Sequence, residues 1–160
     1  MDREILFRAK RIDKGEWVNG YVTRIKHSDD KGKVEIYYFN ALDELGWVAE
    51  CAVSAETVCQ YTGLTDKNGM KIFEGDIVEC RARKDGHDKY KVVWCKDYAD
   101  FRIEPLDFGV QFPIADCNGK HIRCGKYSVI GNIFDNPELI GTGSISGQPG
   151  TIDASNMKGE

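Results

Sequence analysis

The feature that most constrains this chain is a period of two that keeps restarting. Short runs rich in Val, Ile, Tyr, Phe and Trp are each closed off by a glycine-bearing turn, and apolar residues spaced three and four apart are scarce. Side chains alternate faces along a strand, so such runs read as half-buried β-strands. Trp17 to Ile25 is the clearest case: Trp17, Tyr21 and Ile25 share one parity and Val18 and Val22 the other, so both faces carry apolar groups. The same reading places strands at Ile5–Ala9, Val34–Phe39, Trp47–Val53, Thr57–Tyr61, Ile77–Cys80, Lys89–Cys95, Phe101–Leu106 and Tyr127–Phe134. Turns fall at Asp13-Lys14-Gly15, Asp29 to Gly32, Asp66-Lys67-Asn68-Gly69 and Lys84-Asp85-Gly86, with Asn68-Gly69 the sharpest because both residue types tolerate positive φ.

Many short strands with few helices favour a mostly β chain with a small barrel-like body, SH3-like or related, because rolling a sheet shortens its exposed edges. A minor helix is expected around Asn40–Leu45 or at Asn136-Pro137-Glu138-Leu139, where Asn136 would cap and Pro137 would take the first helical position. A length of 160 residues suits one domain, and 41% hydrophobic residues can fill its core. The body is expected over residues 1–140, and the Ser54–Thr57 stretch allows a subdomain at 1–54. Residues 141–160 hold five glycines, three serines, two threonines and no aromatic residue, the composition of a flexible C-terminal tail.

Two segments stand out, Thr57-Val58-Cys59-Gln60-Tyr61-Thr62-Gly63-Leu64-Thr65-Asp66-Lys67-Asn68-Gly69 and Ile72-Phe73-Glu74-Gly75-Asp76-Ile77-Val78, with Phe7-Arg8-Ala9, Trp17 and Gly20-Tyr21 upstream. Downstream come Tyr90, Val92-Val93-Trp94 and the run from Val129 to Leu139. Together these resemble the YopX family of phages and prophages. The resemblance implies a β-rich fold with a small barrel, a phage or prophage setting and a homo-oligomer, and it implies no known activity. Cys59 stands where the family often has a small residue.

No catalytic site is readable in the chain, and no cofactor is expected. At Glu74-Gly75-Asp76 a glycine turn enters an apolar strand between two acids; Gly75 and Asp76, like Asn68 and Gly69, read first as structural turn residues. The functional alternative is a hard cation held by Glu74 and Asp76 with Asp66 or Glu79, which nothing in the spacing demands. Cys117, His121 and Cys124 form the nearest cluster of zinc-type ligands, without the Cys-x2-Cys spacing that makes such assignments strong; a loop with incidental thiols is the simpler reading. Cys117 with His121 is also the only sequence-local pair for nucleophilic catalysis, and it lacks a visible orienting group. His27 and His87 read as solvated loop residues. Glycine-rich phosphate loops are absent.

Formal net charge is −4, so general affinity for nucleic acid is disfavoured. The best basic patch is Arg81, Arg83, Lys84, Lys89, Lys91 and Lys96, interleaved with Tyr90 and Trp94 but diluted by Glu79, Asp85, Asp88 and Asp97. Tyr90, Val92 and Trp94 share a parity that reads as core, leaving Lys89 and Lys91 to face water. Charges in Met1 to Arg8 occupy the place of a signal peptide's apolar core, and no apolar run nears the about 20 residues of a membrane span. A cytoplasmic protein with six reduced cysteines is expected. Aromatic material at Tyr37-Tyr38-Phe39, Trp47, Phe108 and Phe112 exceeds what a small core hides comfortably. It points to self-association or to a phage or host protein partner, with a nucleic-acid-binding or regulatory module as the alternative.

Overall fold

The computed structural model describes residues 4–28, 34–42, 48–80, 88–107, 109–114 and 127–140. Among the described residues, eleven strands form two sheets, and every pairing is antiparallel. The first contains β1 (Phe7–Lys10), β2 (Trp17–Ser28), β3 (Val34–Leu42), β4 (Val48–Ser54), β5 (Cys59–Thr65) and β6 (Lys71–Phe73), in the order β4-β3-β2-β1-β5-β6. The second contains β7 (Asp76–Glu79), β8 (Lys89–Cys95), β9 (Asp100–Pro105), β10 (Phe112–Pro113) and β11 (Ser128–Asn132), in the order β10-β9-β8-β7-β11. The chain is mostly β, as its alternation predicts.

The first sheet rolls without closing. Arg11 bridges to Val53, and the Ile12 N–H donates to the Ala52 carbonyl at 3.0 Å, so the chain beyond β1 meets edge strand β4. One bridge is not a ladder, and among the described residues neither sheet is a closed barrel.

Helical structure among the described residues is limited to two 3-10 turns, Ala55–Thr57 and Pro137–Leu139. The helix expected from Asn40 does not form over Asn40–Leu42. Those residues pair with Glu50, Ala49 and Val48, since the ladder offers each backbone group a partner that one turn of helix would not; residues 43–45 lie outside the described residues. Pro137 does open a helical turn, but Asn136 does not cap it. Its Oδ1 instead accepts the Asn132 N–H at 3.2 Å.

Burial follows the alternation. Tyr90 and Val92 of β8 and Phe101 and Ile103 of β9 point inward, joining Ile72, Val78, Cys80, Ile114 and Tyr127 in the largest apolar cluster. A second cluster (Leu6, Cys59, Tyr61, Phe73) lies where the sheets meet, and a third (Ala9, Phe39, Val53) fills the rolled first sheet. Each fully buried Val, Ile or Phe contributes on the order of 1.5–3 kcal/mol. Cys51, Cys59, Cys80 and Cys95 form no disulfide, and the last three are buried as small hydrophobes. No helix among the described residues is long and apolar enough to cross a membrane.

Candidate functional site

The residues singled out by the sequence converge at the junction of the sheets. Arg8, on β1 opposite Cys59 of β5, reaches the fully buried Asp76 that starts β7, its Nη2 donating to Oδ1 at 2.5 Å. The second Asp76 oxygen accepts the Phe73 N–H at 2.7 Å, closing the Glu74-Gly75 turn. Gly75 makes that turn possible: its φ is +76°, and a Cβ would meet Phe134 Cε2 at 3.3 Å and Cys59 Sγ at 3.5 Å. The Arg8 guanidinium lies 4.7 Å from the Phe73 ring centroid and 4.8 Å from that of Trp17, so it is held by two aromatic rings as well as by charge.

A second lock sits beside it. Asp135, in the turn after β11, accepts hydrogen bonds from Lys10 Nζ, from Trp17 Nε1 at 2.6 Å and from Asn132 Nδ2 at 2.9 Å. The Lys10 ammonium first, then the Asn132 amide, hold its carboxyl down at about 2 against a smaller opposing effect of burial. Phe134 packs on Trp17 with ring centroids 5.8 Å apart. Phe7-Arg8-Ala9, Trp17, Glu74-Gly75-Asp76 and Phe134-Asp135 are thus parts of one clasp.

The clasp is built to hold. Burial pushes the Asp76 carboxyl up, with Arg8 and the Phe73 N–H pulling it back. Burial likewise takes the Cys59 thiol to about 11, so it stays protonated and weakly nucleophilic near neutral pH. Glu74 is also raised by burial, while the backbone N–H groups of Gln60 and Trp94 draw it down. Asp66 is engaged by the N–H groups of Asn68, Met70 and Val129 at 2.7, 2.9 and 3.1 Å, tying the turn with Gly69 at φ +82° to β11. Burial is the largest single influence on Asp66 and raises it, but these donors together leave it lowered. Among the described residues no three His, Cys, Asp or Glu side chains are grouped as a metal site needs.

Other residues named from the sequence are dispersed. Arg81, Arg83, Lys84, His87, Trp47, Phe108, Cys117, His121 and Cys124 lie outside the described residues. His27 belongs to β2, opposite Glu35, and not to a turn, because the strand continues to Ser28. Lys89 sits across from Glu79, and Lys91 Nζ pairs with Glu104 Oε1 at 2.8 Å; Lys96 is exposed in the turn after β8. Of the aromatic triplet, Phe39 is fully buried and Tyr37 packs on the same cluster, while Phe112 packs against the largest one.

Trp94 departs from its expected core position. It shares the inward parity of Tyr90 and Val92 yet is 41% exposed, because it borders an open groove. Its cross-strand partner Phe101 meets it edge-on, centroids 5.0 Å apart at 70°. There the sheets diverge around an open groove of about 700 Å³, walled by Tyr61, Leu64, Trp94, Phe101, Pro113 and Ile114. The hairpin turn at its lip places Ala99 at φ +52°, and Tyr98, 67% exposed, stacks beneath the Arg102 guanidinium at 3.6 Å. Arg102 Nε in turn donates to Asp100 Oδ1 at 2.8 Å. Sequence reasoning missed this groove, since its walls come from segments far apart in the chain; the aromatic residue before Cys95 was the only local signal.

Fold and site together define a two-sheet β protein with a buried ionic clasp and, next to it across the Tyr61–Phe73 contact, an open aromatic groove. The YopX protein family model matches residues 6–141, and the chain belongs to the YopX family. It is also similar to the crystal structure of protein EF1440 from Enterococcus faecalis, at 26% identity over 86% of this chain and 98% of that one, with a TM-score of 0.47. No curated protein matches it.

Proposed function

We propose that this protein is a phage or prophage accessory factor that works in the host cytoplasm by assembling with a second copy of itself or with a partner protein, and not by chemistry of its own. The observation that carries the reading is the aromatic surface around the open groove, where Trp94 and Tyr98 remain 41% and 67% exposed. Aromatic side chains left in water are what interfaces are built around. YopX membership supports the phage setting. The nucleic-acid alternative has less behind it. Lys89 and Lys91 lie on the face of β8 opposite Tyr90 and Trp94, Lys91 is paired with Glu104, and the net charge is −4.

Native mass of the full chain at low and high salt, with and without added DNA and RNA, tests the reading. A multiple of 18.0 kDa that survives high salt is expected. A mass that rises only with nucleic acid and falls back with salt would replace assembly with the alternative. A monomer under every condition would remove self-association.

A further inference from the structure

We infer that Asn68 is a site of spontaneous modification, in which attack by the Gly69 nitrogen converts its carboxamide to a carboxylate and releases the β5–β6 turn from strand β11. The reaction favours an asparagine followed by glycine, because glycine brings no Cβ to obstruct the approach of its nitrogen. Two such pairs lie among the described residues, and the fold treats them oppositely; a third, Asn118-Gly119, lies outside them. Asn19-Gly20 is inside the first sheet, where Gly20 is buried and in register with Phe7 on one side and Ala41 on the other. Asn68-Gly69 is exposed in the turn between β5 and β6, with Gly69 at φ +82°. An exposed turn opens by itself at little cost, whereas a strand paired on both sides opens only with its sheet.

In the closed turn two contacts restrain the reacting groups. The Gly69 N–H donates to the Asp66 carbonyl at 3.1 Å, and Asn68 Nδ2 donates to Asp66 Oδ2 at 3.3 Å. When the turn opens, hydroxide takes the Gly69 amide proton, the nitrogen bonds to Asn68 Cγ, and Nδ2 leaves as ammonia with a proton from water. Water then opens the cyclic imide at either carbonyl, giving an aspartyl or an isoaspartyl residue. One water enters, one ammonia leaves and nothing is oxidised, so solvent is the only co-reactant. Both products act on one anchor. The buried Asp66 carboxylate accepts the N–H groups of Asn68, Met70 and Val129 and so ties the turn to β11, beside the bond from the Lys67 N–H to the Tyr127 carbonyl at 2.9 Å. Conversion replaces the Nδ2 donor with a second carboxylate facing Asp66, and two carboxylates at that spacing repel. The isoaspartyl form also routes the main chain through Cγ, which displaces the Gly69 and Met70 N–H groups from Asp66.

The experiment ages the full chain at physiological temperature, folded and in urea, at neutral and mildly alkaline pH. Peptide mapping by mass spectrometry follows each asparagine, and isoaspartyl methyltransferase labelling detects the rearranged product. In the folded chain Asn68 is expected to convert, faster at the higher pH, while Asn19 stays an amide. In urea both are expected to convert alike, with Asn68 about tenfold faster than when folded because its two restraining hydrogen bonds are gone. The aged chain and the Asn68→Asp variant should both show faster hydrogen exchange at the Val129 and Lys67 amides, with the Arg8 and Asp76 amides unchanged. The Asn68→Gln variant, whose longer side chain closes the larger ring slowly, should show no such change on ageing. If Asn68 and Asn19 convert at the same rate in the folded chain, or if Asn68 stays an amide there, the inference is overturned. Conversion of Asn68 with unchanged Val129 exchange would overturn the release of the turn.

Discussion

The buried clasp and the open groove share strand β5 and behave as opposites. At the clasp, β1, β5, β7 and the turn after β11 meet with a carboxylate at 0% exposure, two rings around one guanidinium, and glycine wherever a Cβ would intrude. At the groove, β5 and β8 part, and an indole faces water. Glu74 joins the two regimes, since its neighbour Gly75 donates to the Val92 carbonyl at 2.9 Å while the Trp94 N–H acts on its carboxyl. Family landmarks lie in both: Arg8, Gly75 and Asp76 in the clasp, and Tyr61, Leu64 and Trp94 in the groove wall.

The comparison breaks most sharply at Arg8. Arg8→Ala leaves Asp76 buried without its counter-charge, and a loss of about 3–5 kcal/mol in urea unfolding is expected. Replacing both partners by apolar groups would cost far less, because the pair's attraction is largely offset by its desolvation. A smaller effect, about 1–3 kcal/mol, is expected for Gly131→Ala, whose Cβ would run into the Asn136 side chain and break its bond to the Asn132 N–H. Calorimetric melting reads this directly.

Trp94→Ala tests the groove. Its edge contact with Phe101 is worth about 0.5–1.5 kcal/mol, so stability should fall by about 1 kcal/mol while the amide spectrum around Arg8 stays unchanged. A collapse as large as that of Arg8→Ala would show that the groove wall is core after all.

The smallest effect belongs to Asp135→Asn, about 0.5–1 kcal/mol near neutral pH, because the ion pair with Lys10 is partly exposed. Its pH dependence is the sharper readout. The folded carboxyl is held at about 2, below its ordinary 3.8, so its contribution is complete above pH about 4 and is lost as pH falls toward about 2. The variant should lack that part of the acid transition. Asp76 acts with the opposite sign, since burial raises its carboxyl and ionising it in place costs stability as pH rises.

Period-two patterning carried most of the secondary structure. Lys89–Cys95 is a strand as read, and Phe101–Leu106 shifts by one residue to Asp100–Pro105. Lys71–Phe73 and Phe112–Pro113 escaped notice because three and two residues are too short for alternation to register. The Asn136 cap failed for a different reason: a nearby backbone N–H at Asn132 competed for the same oxygen.

By itself the sequence determined the mostly β class, the family and the turns at Asp66-Lys67-Asn68-Gly69 and Glu74-Gly75-Asp76, since these depend on neighbouring residues and local φ. Only the tertiary structure decided that Arg8 and Asp76, 68 positions apart, form a buried pair, and that Trp94 stands at the mouth of a groove instead of in the core. Parity says which face of a strand a side chain takes, but what covers that face is set by packing between distant segments, and that determines whether it is dry or open.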